Sequence, residues 1–276
     1  MMAGRYLRRF NGNDRIFHLF LMISFLVQTV TGFVRLFGMT PWGEKLVPLL
    51  GGYEVLLRIH QVTGILMTIG FFLHAAILIR KIDLRRINDS IFGPDSMVPN
   101  MKDARDMWQN TLYIVGMGKQ PRFERWTYWE KFDYWAVFWG MPLLSITGFM
   151  LIFPMITSRF IAGWWLNIAA YLHRAEAVLA VSYIFIVHFF INHLKPTSFP
   201  MSETMFSGNI SLEDLMNEKS EWAARLEKEG QLKNRIVDPP KFWFRAIYYA
   251  YGLTAVGVGI YMLVNGIYYS RYINLH

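Results

Sequence analysis

Cysteine is missing from all 276 positions. Without thiolates the chain cannot attach haem covalently in the c-type manner, hold an iron–sulfur cluster or build a cysteine zinc site. Charge is scarce as well. Asp, Glu, Lys and Arg make up 17% of the residues and apolar types 54%, against about 25% charged in an ordinary soluble domain. There is no G-x-G-x-x-G fingerprint, P-loop or G-x-S-x-G elbow, so Rossmann dinucleotide binding, P-loop NTP chemistry and hydrolase-type acyl transfer have no footing. Fixed-period repeats and low-complexity tracts are lacking too.

What the chain does have is long apolar runs. Five stand out: Ile16–Phe37, Ile59–Ile79, Tyr134–Phe153, Ile168–Ile191 and Ala246–Ile267. About 20 apolar residues suffice for a helix to cross the hydrocarbon core of a bilayer. The fold class predicted is therefore all-α integral membrane. Arg5, Arg8 and Arg9 precede the first run in the manner of a signal peptide, but the run is too long for an h-region and no small-x-small site follows, so it is taken as a spanning helix.

The net charge of +8 follows the topology. Lys and Arg number four in residues 1–15, ten in 80–133 and seven in 194–242, but two in 38–58, one in 154–167 and one in 269–276. The positive-inside rule then puts the N-terminus in the cytoplasm and the C-terminus outside, as expected in a prokaryotic cytoplasmic membrane. Topology accounts for the basic balance, so nucleic acid is not an expected partner; membrane lipid is. The second and fourth spans run parallel to each other.

Three regions are expected: residues 1–195 with four spans, a cytoplasmic loop 196–242 with an amphipathic helix over Ser211–Lys228, and a fifth span with a short external tail over 243–276. Gly93-Pro94, Pro99-Asn100 and Lys119-Gln120-Pro121 cut the loop 80–133 into short pieces. Its aromatic and charged end, Arg125 to Trp135, suits entry into the third span at the interface. Gly252, Gly257 and Gly259 mark the fifth span as a close-packing or anchoring helix.

Polar residues inside the apolar runs carry the functional signal, because a bilayer tolerates them only with partners. His60 and His74 lie 14 residues apart in the second span; His173 and His188 lie 15 apart in the fourth. On straight α-helices these separations are roughly 21 and 22 Å, and each pair stays within about 60° of one face. Two parallel helices thus offer two matched rungs of facing imidazoles. Haem iron takes two axial histidines, and bundles build such sites between facing helices; zinc wants three or four ligands at one depth. Gly64 and Gly70 stand one turn from His60 and His74, where the backbone is expected to approach a porphyrin.

Arg58 and Arg174 flank the outer rung and suit haem propionates. Arg174 has Glu176 as a second partner, the one acid within these spans; a proton relay is its other reading. His18 and His193 remain. Counted as α-helix, His193 points about 140° away from His188. His18 and His193 suit a third haem between them, or one of them a quinone.

Several of these motifs resemble a known family. Arg15-Ile-Phe-His18 followed by Thr31-Gly32, Arg58-Ile-His60-x-x-x-Gly64, Glu130-Lys131-Phe132 through Thr147-Gly148, and His173 through His188 followed by Gly208-Asn-Ile-Ser211 stand in the order seen in the formate dehydrogenase gamma subunit and the cytochrome b of nickel–iron hydrogenases. The resemblance covers about residues 5–230. It implies a four-helix haem-binding bundle, to which this chain adds a fifth helix, with two haem b groups. It also implies a menaquinone or ubiquinone site on the cytoplasmic side and an iron–sulfur or multihaem cytochrome c partner subunit. On that template His60 and His173 bind the outer haem and His18 and His188 the inner. The spacing ladder, which resembles the cytochrome b of bc and bf complexes, pairs His74 with His188 instead and frees His18 for a third haem. The family's quinone pattern before the third helix is replaced by Thr127 and Trp129 here; Trp129, Glu130 and Asp133 are the local candidates.

The sequence reads as a membrane b-type cytochrome moving electrons between a quinone pool and a partner redox subunit. Its rivals are a haem-free anchor of a redox complex and a histidine-dependent proton or ion transporter. The transporter predicts helix breaks near the midplane, and the second and fourth runs contain no proline.

Overall fold

A computed structural model of the protein describes residues 5–194, 198–199 and 201–272. Lys195 and tail residues 273–276, which entered the topology argument, lie outside the described residues.

Five long helices form where the apolar runs predict them: α1 (Gly12–Leu36), α2 (Tyr53–Arg80), α3 (Tyr128–Ile152), α4 (Trp165–Leu194) and α5 (Phe242–Tyr268). Each begins three to six residues before the N-terminal edge of its run. The start of α1 is defined by Asn11, whose side chain accepts from the Asp14 amide at 2.9 Å while the Asp14 carboxylate accepts from the Asn11 amide at 3.3 Å. The outward faces stay apolar: Leu66, Ile69, Phe72 and Leu73 on α2 are each more than half exposed. A long helix whose backbone groups are internally bonded and whose bare face is apolar needs lipid as its solvent. The chain is an all-α integral membrane protein.

It divides into two compact units. The larger comprises Ile16–Leu73, Trp139–Ser202 and Ala246–His276. Its core joins Phe33, Val34 and Phe37 of α1 with Val181, Phe185 and Phe189 of α4 and Val256, Met262 and Leu263 of α5. The glycines of α5 repeat every seven residues on the packed face. Gly252 lies under Met201, Gly259 under the Phe185 ring and Gly266 under Phe33 and Phe37; a Cβ at the first two would collide with those side chains. Gly257, expected to share this role, faces open space, and Gly266 takes its place in the row.

Helix α4 changes character half-way. It is α-helical to Ser182, then π-helical over Tyr183–His188 and Phe190–Leu194. A π-turn closes i→i+5 rather than i→i+4 hydrogen bonds, so angles counted at 100° per residue fail beyond Ser182.

The smaller unit comprises Met1–Arg15, His74–Phe138 and Glu203–Arg245. It contains a feature the sequence did not announce: a three-stranded antiparallel sheet in the order β2-β1-β3, with β1 Tyr6–Arg8, β2 Asn209–Ser211 and β3 Ile236–Val237. Strands this short carry no readable alternation. The predicted Ser211–Lys228 helix is two helices, Leu212–Glu218 and Ser220–Lys228, and Ser211 caps the first by accepting from the Asp214 amide at 3.0 Å. Their apolar face is buried in the protein: Leu215, Trp222 and Leu226 pack with Leu7 of β1 and Ile210 of β2.

The helices part at Lys219, whose buried ammonium lies 2.9 Å from Glu130 Oε2. The loop 80–133 is in short pieces as expected, including helices Ile87–Phe92 and Met101–Ile114, the second opened by an Asn100/Asp103 capping box.

Candidate functional site

In the larger unit α2 and α4 bring His60 and His173 together, ring centroids 6.2 Å apart and planes nearly perpendicular at 76°. Each ring is held by a Thr-Gly pair from another helix. Thr31 Oγ1 of α1 lies 3.0 Å from His60 Nδ1, and Thr147 Oγ1 of α3 lies 2.9 Å from His173 Nδ1. Both hydroxyls donate their own proton to a carbonyl one turn back, Val27 and Leu143, each at 2.7 Å. A hydroxyl whose proton is committed accepts from the imidazole, so Nδ1 carries the ring proton and Nε2 keeps its lone pair. The Leu144 carbonyl lies close enough to the His173 ring to share that Nδ1 proton. Beside each threonine a glycine meets the ring edge: a Cβ on Gly32 would stand 3.2 Å from His60 Cε1, and one on Gly148 3.4 Å from His173 Cε1.

The donor set suits iron between two imidazoles. A centroid separation of 6.2 Å is of the size that two metal–nitrogen bonds of about 2 Å each would need if both Nε2 atoms faced one metal. Among the described residues no three His, Asp or Glu converge as a metal cage, which the zinc alternative requires.

One cation within reach of both rings was missed by the sequence reading. Arg35, near the end of α1, is in electrostatic reach of His60 and His173, with its Nε buried and without a hydrogen-bond partner. At a helix end it looks like a membrane-edge arginine, and nothing in its spacing marks it. Of the two arginines named from sequence, Arg58 is exposed and Arg174, though exposed, stays in reach of His173. Glu176 presents Oε1 to Gly140 of α3, 3.0 Å from where a Cβ would stand. Gly64 does not border open space. It admits the Gln28 carboxamide, which donates to the His60 carbonyl at 2.8 Å. Gly70 likewise admits the Phe20 ring.

A second histidine group forms in the same unit from His18, His188 and His193. The rings of His188 and His193 are 6.2 Å apart. The expected 140° divergence is overturned, because π-helical turns set residue i+5 over residue i. His18 of α1 interacts electrostatically with both. The Asn192 amide nitrogen is 3.2 Å from His188 Nδ1, and His193 Nδ1 is buried with no hydrogen-bond partner. His74 belongs to the smaller unit, where its Nε2 lies 3.0 Å from the Tyr134 hydroxyl and its ring packs on Phe138.

A family model described as prokaryotic cytochrome b561 matches residues 9–202. The chain belongs to the prokaryotic cytochrome b561 family. The match takes in α1 to α4 and thus every histidine named above, and it makes the chain a haem b-binding membrane protein of electron transfer. No curated protein matches the cytochrome.

The remaining candidates of the cytochrome lie in the smaller unit. Trp129 stands edge-on to Phe123, centroids 4.8 Å apart. Glu130 is the hub of a buried ion cluster. Its Oε2 accepts from Arg9 and Lys219, each at 2.9 Å, and from the Thr127 amide at 3.0 Å.

Proposed function

We propose that the cytochrome carries electrons between a membrane quinone pool and a partner redox subunit, with two haem b groups held by His60 with His173 and by His18 with His188. The observation that carries this reading is the His60–His173 pair, opposed across 6.2 Å with both Nδ1 atoms occupied by threonines. When bound there, haem b supplies one-electron transfer. The chain supplies two imidazoles whose Nε2 lone pairs are left for a metal, rings fixed by Thr31 and Thr147, and positive charge from Arg35 and Arg174 that suits carboxylate groups on the ligand. For the second haem, His18 is favoured over His74 by its electrostatic contact with His188 and by the engagement of His74 with Tyr134. That leaves two haems rather than three.

His193 is then the unligated imidazole of its group, and its unpartnered Nδ1 suits a hydrogen bond to a quinone oxygen. The site lies toward the cytoplasmic side, since His18 starts and His193 ends a span next to Lys/Arg-rich segments. Menaquinone and ubiquinone share the carbonyl chemistry that an imidazole recognises. The absence of cysteine requires the electron partner to carry its own centre, iron–sulfur or multihaem cytochrome c.

The test uses the purified complex. Addition of a menaquinol or ubiquinol analogue should reduce the b-type absorbance band, and His193→Ala should slow that step at least tenfold with haem content unchanged. A band that neither quinol reduces, with both haems present and reducible by dithionite, would overturn the quinone assignment.

A further inference from the structure

We infer that Thr31 and Thr147 are paired positioning residues that set the reduction potential and ring orientation of the group held between His60 and His173. The inference rests on the reading that haem iron lies between those rings. Thr31-Gly32 of α1 and Thr147-Gly148 of α3 stand on different helices, yet meet their histidines in the same two ways: hydroxyl to Nδ1 at 3.0 and 2.9 Å, and a glycine whose absent Cβ would press on Cε1. Both hydroxyl protons are fixed on carbonyls at 2.7 Å. The duplication makes accidental core packing a poor explanation.

The chemistry follows from the direction of the bond. An imidazole that donates from Nδ1 gains electron density and becomes a more basic ligand at Nε2. A more basic axial ligand favours ferric over ferrous iron, so each threonine holds the potential down. The hydroxyl and the glycine wall together stop the ring from turning, which keeps the planes at the observed 76°. The two sites are not equivalent. His173 has the Leu144 carbonyl as a second acceptor, so it retains a partner when Thr147 is lost.

The experiment is a redox titration of the purified complex, following the b-type bands, for T31V, T147V and the corresponding serine variants, with haem content measured on each. Expected is an upward shift of one and the same haem in both valine variants. For T31V the ferrous-to-ferric ratio at fixed potential should change about tenfold, or about 59 mV for a one-electron couple. The T147V shift should be smaller, the other haem unmoved, and both serine variants close to the parent. T31V with full haem content and an unmoved potential overturns the assignment.

A measurement on the unmutated protein decides the matter if valine expels the haem. Near-perpendicular imidazole planes give ferric low-spin iron a strongly anisotropic EPR signal, and spectra showing only rhombic signals would contradict the clamp. A preparation without haem would instead refute the underlying reading.

Discussion

His188 is a side chain that sequence spacing and folded geometry pair differently. Spacing along two straight helices nominates His74 as its partner, whereas in the structure the His193 ring lies beside it, His18 is in electrostatic reach of it and His74 engages the Tyr134 hydroxyl. His18→Ala is therefore expected to remove one haem, while His74→Phe retains both, as counted by pyridine haemochrome per chain. The reverse pattern would restore the ladder.

The His60–His173 pair was legible because imidazoles stand out in apolar runs, where a polar group needs a partner. Arg35 was not legible, since a cation at a span end has an ordinary interfacial explanation. Nor was the hydroxyl-to-ring direction, which depends on where each threonine places its own proton.

Among the elements, α4 departs furthest from its sequence reading. Its length and apolarity were plain, but the π-turns after Ser182 leave no signature in hydropathy and rotate every later side chain. Helix α5 was expected to pack closely through glycine, and two of its three named glycines do so. Gly259→Leu should destabilise by roughly 1–3 kcal/mol through overpacking against Phe185, whereas Gly257→Leu, with nothing within 4 Å, should be neutral in thermal unfolding. Equal effects would show that the face is assigned wrongly.

In the smaller unit the Glu130 cluster gives a sharper contrast. Glu130→Gln strands Arg9 and Lys219 and should cost about 3–5 kcal/mol. Lys219→Met should be neutral or stabilising, because burial and the nearby Arg9 outweigh Glu130 and bring the Lys219 ammonium down to about 8. With an unfolded value of about 10.4, the folded state binds fewer protons between the two. The cost of charging Lys219 is thus present in full below pH 8, and stability rises as pH climbs from 8 toward 10.4. Denaturation midpoints across that range, with Lys219→Met as the flat control, measure it.

For the whole molecule, the five spans were fully legible in the sequence, because bilayer thickness imposes a length that hydropathy displays. The small sheet and the burial of the 212–228 helices were not, since they depend on strands of two or three residues and on a carboxylate 89 positions from its lysine. The basic loops predict a cytoplasmic loop 80–133, so a reporter fused at residue 100 should be active in the cytoplasm.

The most direct test of the central claim, that His60 and His173 together hold a haem, is the haem b content of the purified complex before and after His173→Ala. The account predicts two haems per chain in the parent and one in the variant, with the remaining b-type band unchanged. A colourless parent, or a variant that keeps both haems, would contradict it.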